Sequence, residues 1–437
     1  MEPALRVGTG KSEVHLEQGC LPTDNFTGVH DPLYARVILL EERESAKRYG
    51  ILSLDLTMMY PGAPKQYKAL FASEADVAPE DSWIAVTHNF TSPHLWEVPE
   101  PGEEDIPRPG HKMRTKEEIE RSRRTNAAFY EAAGDAIRQA AGSLAPALCG
   151  GGRGVCLVNA SRNMETKDGW WLGCDAEEFS DHALPVLKFE SPEGKPIGLI
   201  YAYDCQSSVM GKSERKAGGK LVTSDLLGNA SAYVEREYGD GFVALALCGA
   251  AGDQEPQMKA NRTEVDLSGT MRSIDLGEAG FPLLEVQAAR LGAELLKVSK
   301  RITCKEGRVA GRRRSFVCKT KVMERNLKKL HPTRSYDYVP DGEREAEVSA
   351  FVVGDFAMLS TQAELASKTG AQIRESSPYA NTLVATMVDG GAKYMVDAQA
   401  YDCFTYGAMN SAFVKGSAEQ LRDEGVRLLQ EIKDNFM

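Results

Sequence analysis

The chain has 437 residues, 42% hydrophobic and 26% charged, with a net charge of −11 and nine cysteines. That composition suits a soluble globular protein with a sizeable core. Its acidity excludes a nucleic-acid polyanion as the main partner, because phosphate binding needs a basic face.

From the N-terminus, "MEPALRVGTGKSEVHL" has neither the basic stretch nor the apolar core of a signal peptide. "ARVILLE" (35–41) and "YGILSLDLTMM" (49–59) have the apolar, β-branched character of buried strands. "SWIAVTHNFTSPHLW" (82–96) holds another strand, which delivers His88 to a loop with Pro93 and His94. Residues 96–113, with four prolines and a run of acids, are expected to form a surface loop or lid beside those histidines. Helical period marks 114–144, and strands are expected at 195–204 and 241–250. Ser224-Asp225 is placed to cap a helix of roughly three turns. A second helix is expected at 281–302, and "GRRRS" (311–315) is expected as a solvated turn. Residues 346–361 read as two strands around Gly354-Asp355, 381–391 as a strand stopped by Asp-Gly-Gly, and 417–436 as a closing helix. No stretch reaches the eighteen or so apolar residues of a membrane span. Cysteines without paired CxxC spacing read as reduced thiols, so a cytoplasmic location and no membrane partner are expected. The mixture predicts an α/β fold of mixed β-sheets flanked by helices, one catalytic domain over 1–437.

Several strand ends carry reactive residues. "AVTHNFTSPH", "IGLIYAYDCQSSVM", "LVTSDLLGNASAYVE", "CGAAGDQEPQ", "TQAELASKTGAQIRESSP" and "YMVDAQAYDCFTYGA" follow one another in this order. With the opening "VGTGKSEVHL", "GVHDPLYARVILLE" and "ILSLDLTMMY", that series resembles the catalytic domain of the neutral, non-lysosomal ceramidase family, without its C-terminal β-sandwich module. The resemblance implies a zinc amidase whose metal is held by two histidines, a glutamate and a tyrosine. In family register the first histidine falls on His88, the glutamate on Glu364 and the tyrosine on Tyr394. The second histidine falls on Gln206, with Cys205 or Asp204 offered by a shift of one or two residues. Phe90 stands where the other histidine of a His-Thr-His is found, and Glu255 where the family carries a serine.

These departures alter the expected chemistry. A neutral amide is a poor substitute for imidazole, so an oxygen-rich set weakens zinc and tilts selection toward manganese or magnesium. Any divalent metal bound there would activate water or polarise a carbonyl. Asp253 and Glu255 are candidate general acid and base. His94 is a candidate substrate contact or replacement ligand, and Asn159, Arg162 and Trp171 suit a sugar-like molecule. The expectation is a metal-dependent hydrolase of a small, polar amide, ester or lactone rather than of a membrane lipid. A metal-dependent sugar isomerase or epimerase, or a binding protein that has lost the metal, are the alternatives. Homo-oligomerisation is left open.

Overall fold

Alternation within a single strand shows how the layers are built. In Leu33–Glu42, Val37 and Leu39 pack outward beneath helices, while Ile38 and Leu40 enter a core shared with two other sheets. The computed structural model describes residues 2–16, 19–100, 102–106, 112–266, 268, 270–324 and 326–436.

The first sheet runs in the order Ser82–Val86, Lys47–Leu54, Leu33–Glu42, Leu5–Val14, Ala145–Pro146. A second orders Val243–Cys248, Pro196–Tyr203, Ala183–Glu190 and Leu148–Val155. A third orders Val309–Lys321, Pro340–Val353, Phe356–Thr361 and Asn381–Ala385. Each is antiparallel apart from one parallel pair: Lys47–Leu54 with Ser82–Val86, Pro196–Tyr203 with Val243–Cys248, and Phe356–Thr361 with Asn381–Ala385.

The inner faces of all three sheets meet in one core, where Ile51, Trp83, Phe189, Leu245, Phe351 and Met358 are buried together. Helices cover the outer faces. Ala63–Ala75 and Lys116–Gly142 cover the first sheet, Asp225–Tyr238 and Phe281–Ser299 the second, and Ser367–Ser376 and Ser417–Phe436 the third. Burial on both faces explains why the strand sequences are apolar runs rather than clean alternations. Gly8 and Gly10 let Lys116–Gly142 lie directly on Leu5–Val14, because a Cβ at either position would collide with the carbonyl oxygens of Ala140 and Ala136. The α/β class with mixed sheets and flanking helices is therefore borne out. No helix among the described residues is long and apolar enough to cross a membrane.

Two local expectations are corrected. Residues 311–315 are the middle of the strand Val309–Lys321, not a turn. Arg313 bonds to Glu347 and Asp389 at 2.6 and 3.0 Å, and Arg314 to Glu424, so two of the three arginines are paired with acids of a neighbouring strand, a strand-end loop and the covering helix. Ser224 does not cap the helix after it; its hydroxyl donates to Asp31 at 2.8 Å. Asp225, fully buried with φ +47°, accepts instead from the amides of Val209, Met210 and Leu226. Of the proline-rich segment 96–113, residues 101 and 107–111 lie outside the described residues, and 97–100 and 102–106 form neither helix nor strand.

Candidate functional site

The chain ends of the three sheets bring the reactive side chains together. Ser82–Val86 from the first sheet runs into His88, and Pro196–Tyr203 from the second runs into Gln206. Phe356–Thr361 from the third leads to Glu364. Each of these strands belongs to the one parallel pair of its sheet, and the carboxyl ends of such strands are where α/β folds build their sites. The loops are stitched to one another: Phe90 N donates to Ser207 O at 2.9 Å, and Glu364 pairs with Tyr394 in a short parallel bridge.

His88 sits at φ +52° and is 3% exposed. Its Nδ1 lies 2.7 Å from the Thr57 carbonyl oxygen. A carbonyl only accepts, so Nδ1 carries a hydrogen and the other nitrogen, Nε2, is left for chemistry. Nε2 faces Glu364 Oε2 at 3.3 Å, and apart from each other neither atom has a partner among the described residues. Burial alone would raise the Glu364 carboxyl, but His88, Arg162 and Lys393 outweigh it and hold it below the usual carboxylate range.

Opposite this pair stand donors. Arg162, on the strand Asn159–Thr166, is 6% exposed and gives Nη1 to Gln206 Oε1 at 3.3 Å. Its Cζ is 5.0 Å from the Tyr394 ring and 5.7 Å from that of Tyr406. Burial opposes the Arg162 charge, yet Tyr394, Glu364 and Glu255 more than compensate, so the guanidinium is a permanent cation. Arg162 Nη2 and Gln206 Nε2 have no hydrogen-bond partner among the described residues. Burial pushes the Tyr394 phenol well above its usual range, with Glu364 adding to the shift against Arg162. Trp171 meets Tyr406 edge-on at 5.5 Å and extends the aromatic wall.

The remaining sequence candidates stand elsewhere. Asp204 spends Oδ2 on Arg374 at 2.6 Å and Oδ1 on the Ala250 amide at 2.8 Å, so of the alternatives at 204–206 it is Gln206 that meets Arg162. Asn159, fully buried, is saturated: its amide nitrogen donates to the Asp181 and Asp204 carbonyls and to Gln254, while its oxygen bonds Tyr203 and His182. His94 is turned to Asp24, with Nδ1 at 3.4 Å from a carboxylate oxygen. Asp253 accepts from the Ser367 amide at 2.8 Å and lines a separate cavity of about 110 Å³ with Ser161, Trp170, Lys368 and Asp397. Glu255 is paired with Lys259 at 2.7 Å. Asp253 and Glu255 therefore do not form an acid–base pair with each other. Sequence reasoning missed Thr57, Tyr406 and Arg374; Tyr406 lies in the quoted "YDCFTYGA", but nothing local distinguishes it from a packing residue.

The donor set does not fit a zinc centre of the implied kind. His88 Nε2 and Glu364 Oε2 are spaced as two ligands of one ion would be, but zinc takes at least three protein ligands. Gln206 Oε1 is engaged by Arg162, Tyr394 lies against the same guanidinium, and no group of three or more His, Cys, Asp or Glu among the described residues is arranged to hold a metal.

No family model matches the chain, and no curated protein matches it. Solved structures do. Neutral ceramidase from Pseudomonas aeruginosa aligns with a TM-score of 0.71 at 17% identity, covering 99% of this chain and 75% of that one. A ceramidase complexed with C2 aligns at 0.70 and 16% identity, covering 99% and 76%. The resemblance read from the ordered motifs holds along nearly the whole chain, and at this identity it is a likeness of fold: the protein has a ceramidase-like fold.

Proposed function

We propose that this protein is a hydrolase that cleaves an amide, ester or lactone bond in a small, polar, sugar-like molecule. The observation that carries this reading is the meeting of a buried imidazole–carboxylate pair, His88 Nε2 and Glu364 Oε2 at 3.3 Å, with two buried donors, Arg162 Nη2 and Gln206 Nε2, none with a further hydrogen-bond partner among the described residues. Buried polar atoms are normally satisfied, and unsatisfied ones gathered in one place suit a ligand that completes them.

The chemistry follows from these roles. A water bound at the His88–Glu364 pair gives up a proton, which the pair holds between Nε2 and Oε2. The water oxygen adds to the substrate carbonyl carbon, and the carbonyl oxygen, gaining negative charge, takes hydrogen bonds from Arg162 and Gln206. Collapse breaks the bond to nitrogen or oxygen, and the pair returns the proton to that leaving atom. Trp171 and Tyr406, set at right angles to each other, each offer an aromatic face against which a sugar ring would stack.

A screen of N-acyl sugars, sugar esters and lactones tests the proposal. Turnover is expected to fall roughly 10²–10⁴-fold in Glu364→Gln and in His88→Ala; activity unchanged in both would refute the assignment. Ceramide is expected to resist hydrolysis with and without detergent, and robust turnover would overturn the polar-substrate reading. The 3.3 Å spacing of His88 and Glu364 favours one rival, a divalent ion held by those two residues. Chelator treatment that abolishes activity, restored by zinc or manganese, would establish it.

A further inference from the structure

We infer that the Arg162 guanidinium is the built-in cation of this site, excluding divalent metal ions and receiving a negatively charged oxygen between itself and Gln206. The inference rests on the hydrolase reading for the location of the site, and gives that site its ligand class: a carboxylate, which is also what hydrolysis of an amide, ester or lactone leaves behind.

Three observations support it. Arginine has only donors, so Gln206 must present its oxygen to Arg162 and turn its NH2 away. The amide oxygen expected to serve as a ligand is thereby hydrogen-bonded to a cation, and two N–H groups, Gln206 Nε2 and Arg162 Nη2, are left buried and unmatched among the described residues. The unmatched guanidinium N–H carries a full positive charge and suits a carboxylate in sign, and Gln206 Nε2 offers a second donor. Secondly, the anion a metal would have neutralised already has a cation: the Glu364 carboxylate acts on Arg162 and helps to hold its charge. A divalent ion on His88 and Glu364 would sit against this guanidinium at low dielectric, where like charges repel strongly. Thirdly, Lys212 stands close enough to Lys259 and Arg162 to feel both as like charges, with Glu255 opposing them, and an added anion would relieve that repulsion.

Two measurements on the purified full-length chain test this without turnover, so they stand or fall separately from the hydrolase reading. The first is metal content by mass spectrometry, with zinc and manganese added and then dialysed away. Less than a tenth of an equivalent is expected in the native sequence. An equivalent that is retained, and lost in His88→Ala, would overturn the proposal. The second is calorimetric titration with sodium formate at constant ionic strength. Binding is expected for the native sequence, at least tenfold weaker in Arg162→Met, and weakened in Arg162→Lys, which keeps the charge and loses the fork. No formate binding to the native sequence, or equal binding in Arg162→Met, would overturn it. The converse variant, Arg162→Ala with Gln206→His, clears the guanidinium and supplies imidazole, and is expected to gain close to one zinc per chain. Should the variants fail to fold by circular dichroism, the native chain's zinc and formate results decide the matter.

Discussion

Asp204 and Gln206 stand two residues apart, yet one is locked into an ion pair and the other faces the candidate site. The difference is made by Arg374, which grips Asp204 and Asp181 at 2.6 and 2.7 Å and comes from a segment 170 positions further along the chain. Register arguments cannot see such a partner. Asp253 shows the same dependence on surroundings. Burial raises its carboxyl to about 6, against the hydrogen bonds from Ser367 and Gln254. Because the folded value lies above the unfolded one, near 3.9, the folded state binds the proton more tightly. This group's contribution to stability is therefore complete below pH ~4 and lost as pH rises through about 6. Two units correspond to at most about 3 kcal/mol, reduced by the partial exposure of the side chain. Denaturant midpoints measured between pH 4 and 7 are expected to decline less steeply in Asp253→Asn than in the native sequence. Parallel curves would show that Asp253 is not the responsible group.

At the scale of elements, periodic and capped segments were legible. The helix Lys116–Gly142 begins at a capping box formed by Thr115 and Glu118, and its apolar spacing is visible without the fold. The strand Val309–Lys321 was not legible, because its three consecutive arginines carry no apolar alternation. It exists through its register with Pro340–Val353 and the pairing of Arg313 with Glu347 and Asp389, which are contacts across the chain. Helix placement also depends on small residues whose importance is invisible locally. Gly10→Val is expected to push Lys116–Gly142 off the first sheet and destabilise the protein by about 1–3 kcal/mol. A urea midpoint equal to that of the native sequence would show that the helix does not need this close approach.

For the whole molecule, three sheets share one core and three strand ends share one site. Trp83 couples two of the sheets: it stacks on Phe351 at 4.3 Å and donates to Ser349 Oγ at 2.8 Å. Trp83→Ala is expected to cost about 3–5 kcal/mol, and Trp83→Phe about 1 kcal/mol because stacking survives and the hydrogen bond does not. Equal losses in the two variants, measured by chemical denaturation, would refute that division. The chain by itself determined the α/β class, the order of motifs and the ceramidase-like fold, because most strands and helices write their burial into a local pattern and the motifs keep their sequence at strand ends. It also marked His88, Gln206, Glu364, Tyr394 and Arg162 as candidates. Tertiary structure alone decided what these residues face. Whether Gln206 presents oxygen or nitrogen, whether Asp204 is free or paired, and whether the positive charge beside Glu364 belongs to a side chain all depend on groups tens to hundreds of positions apart. Electrostatic partnership acts over a few ångströms of space, and sequence separation carries almost no record of it.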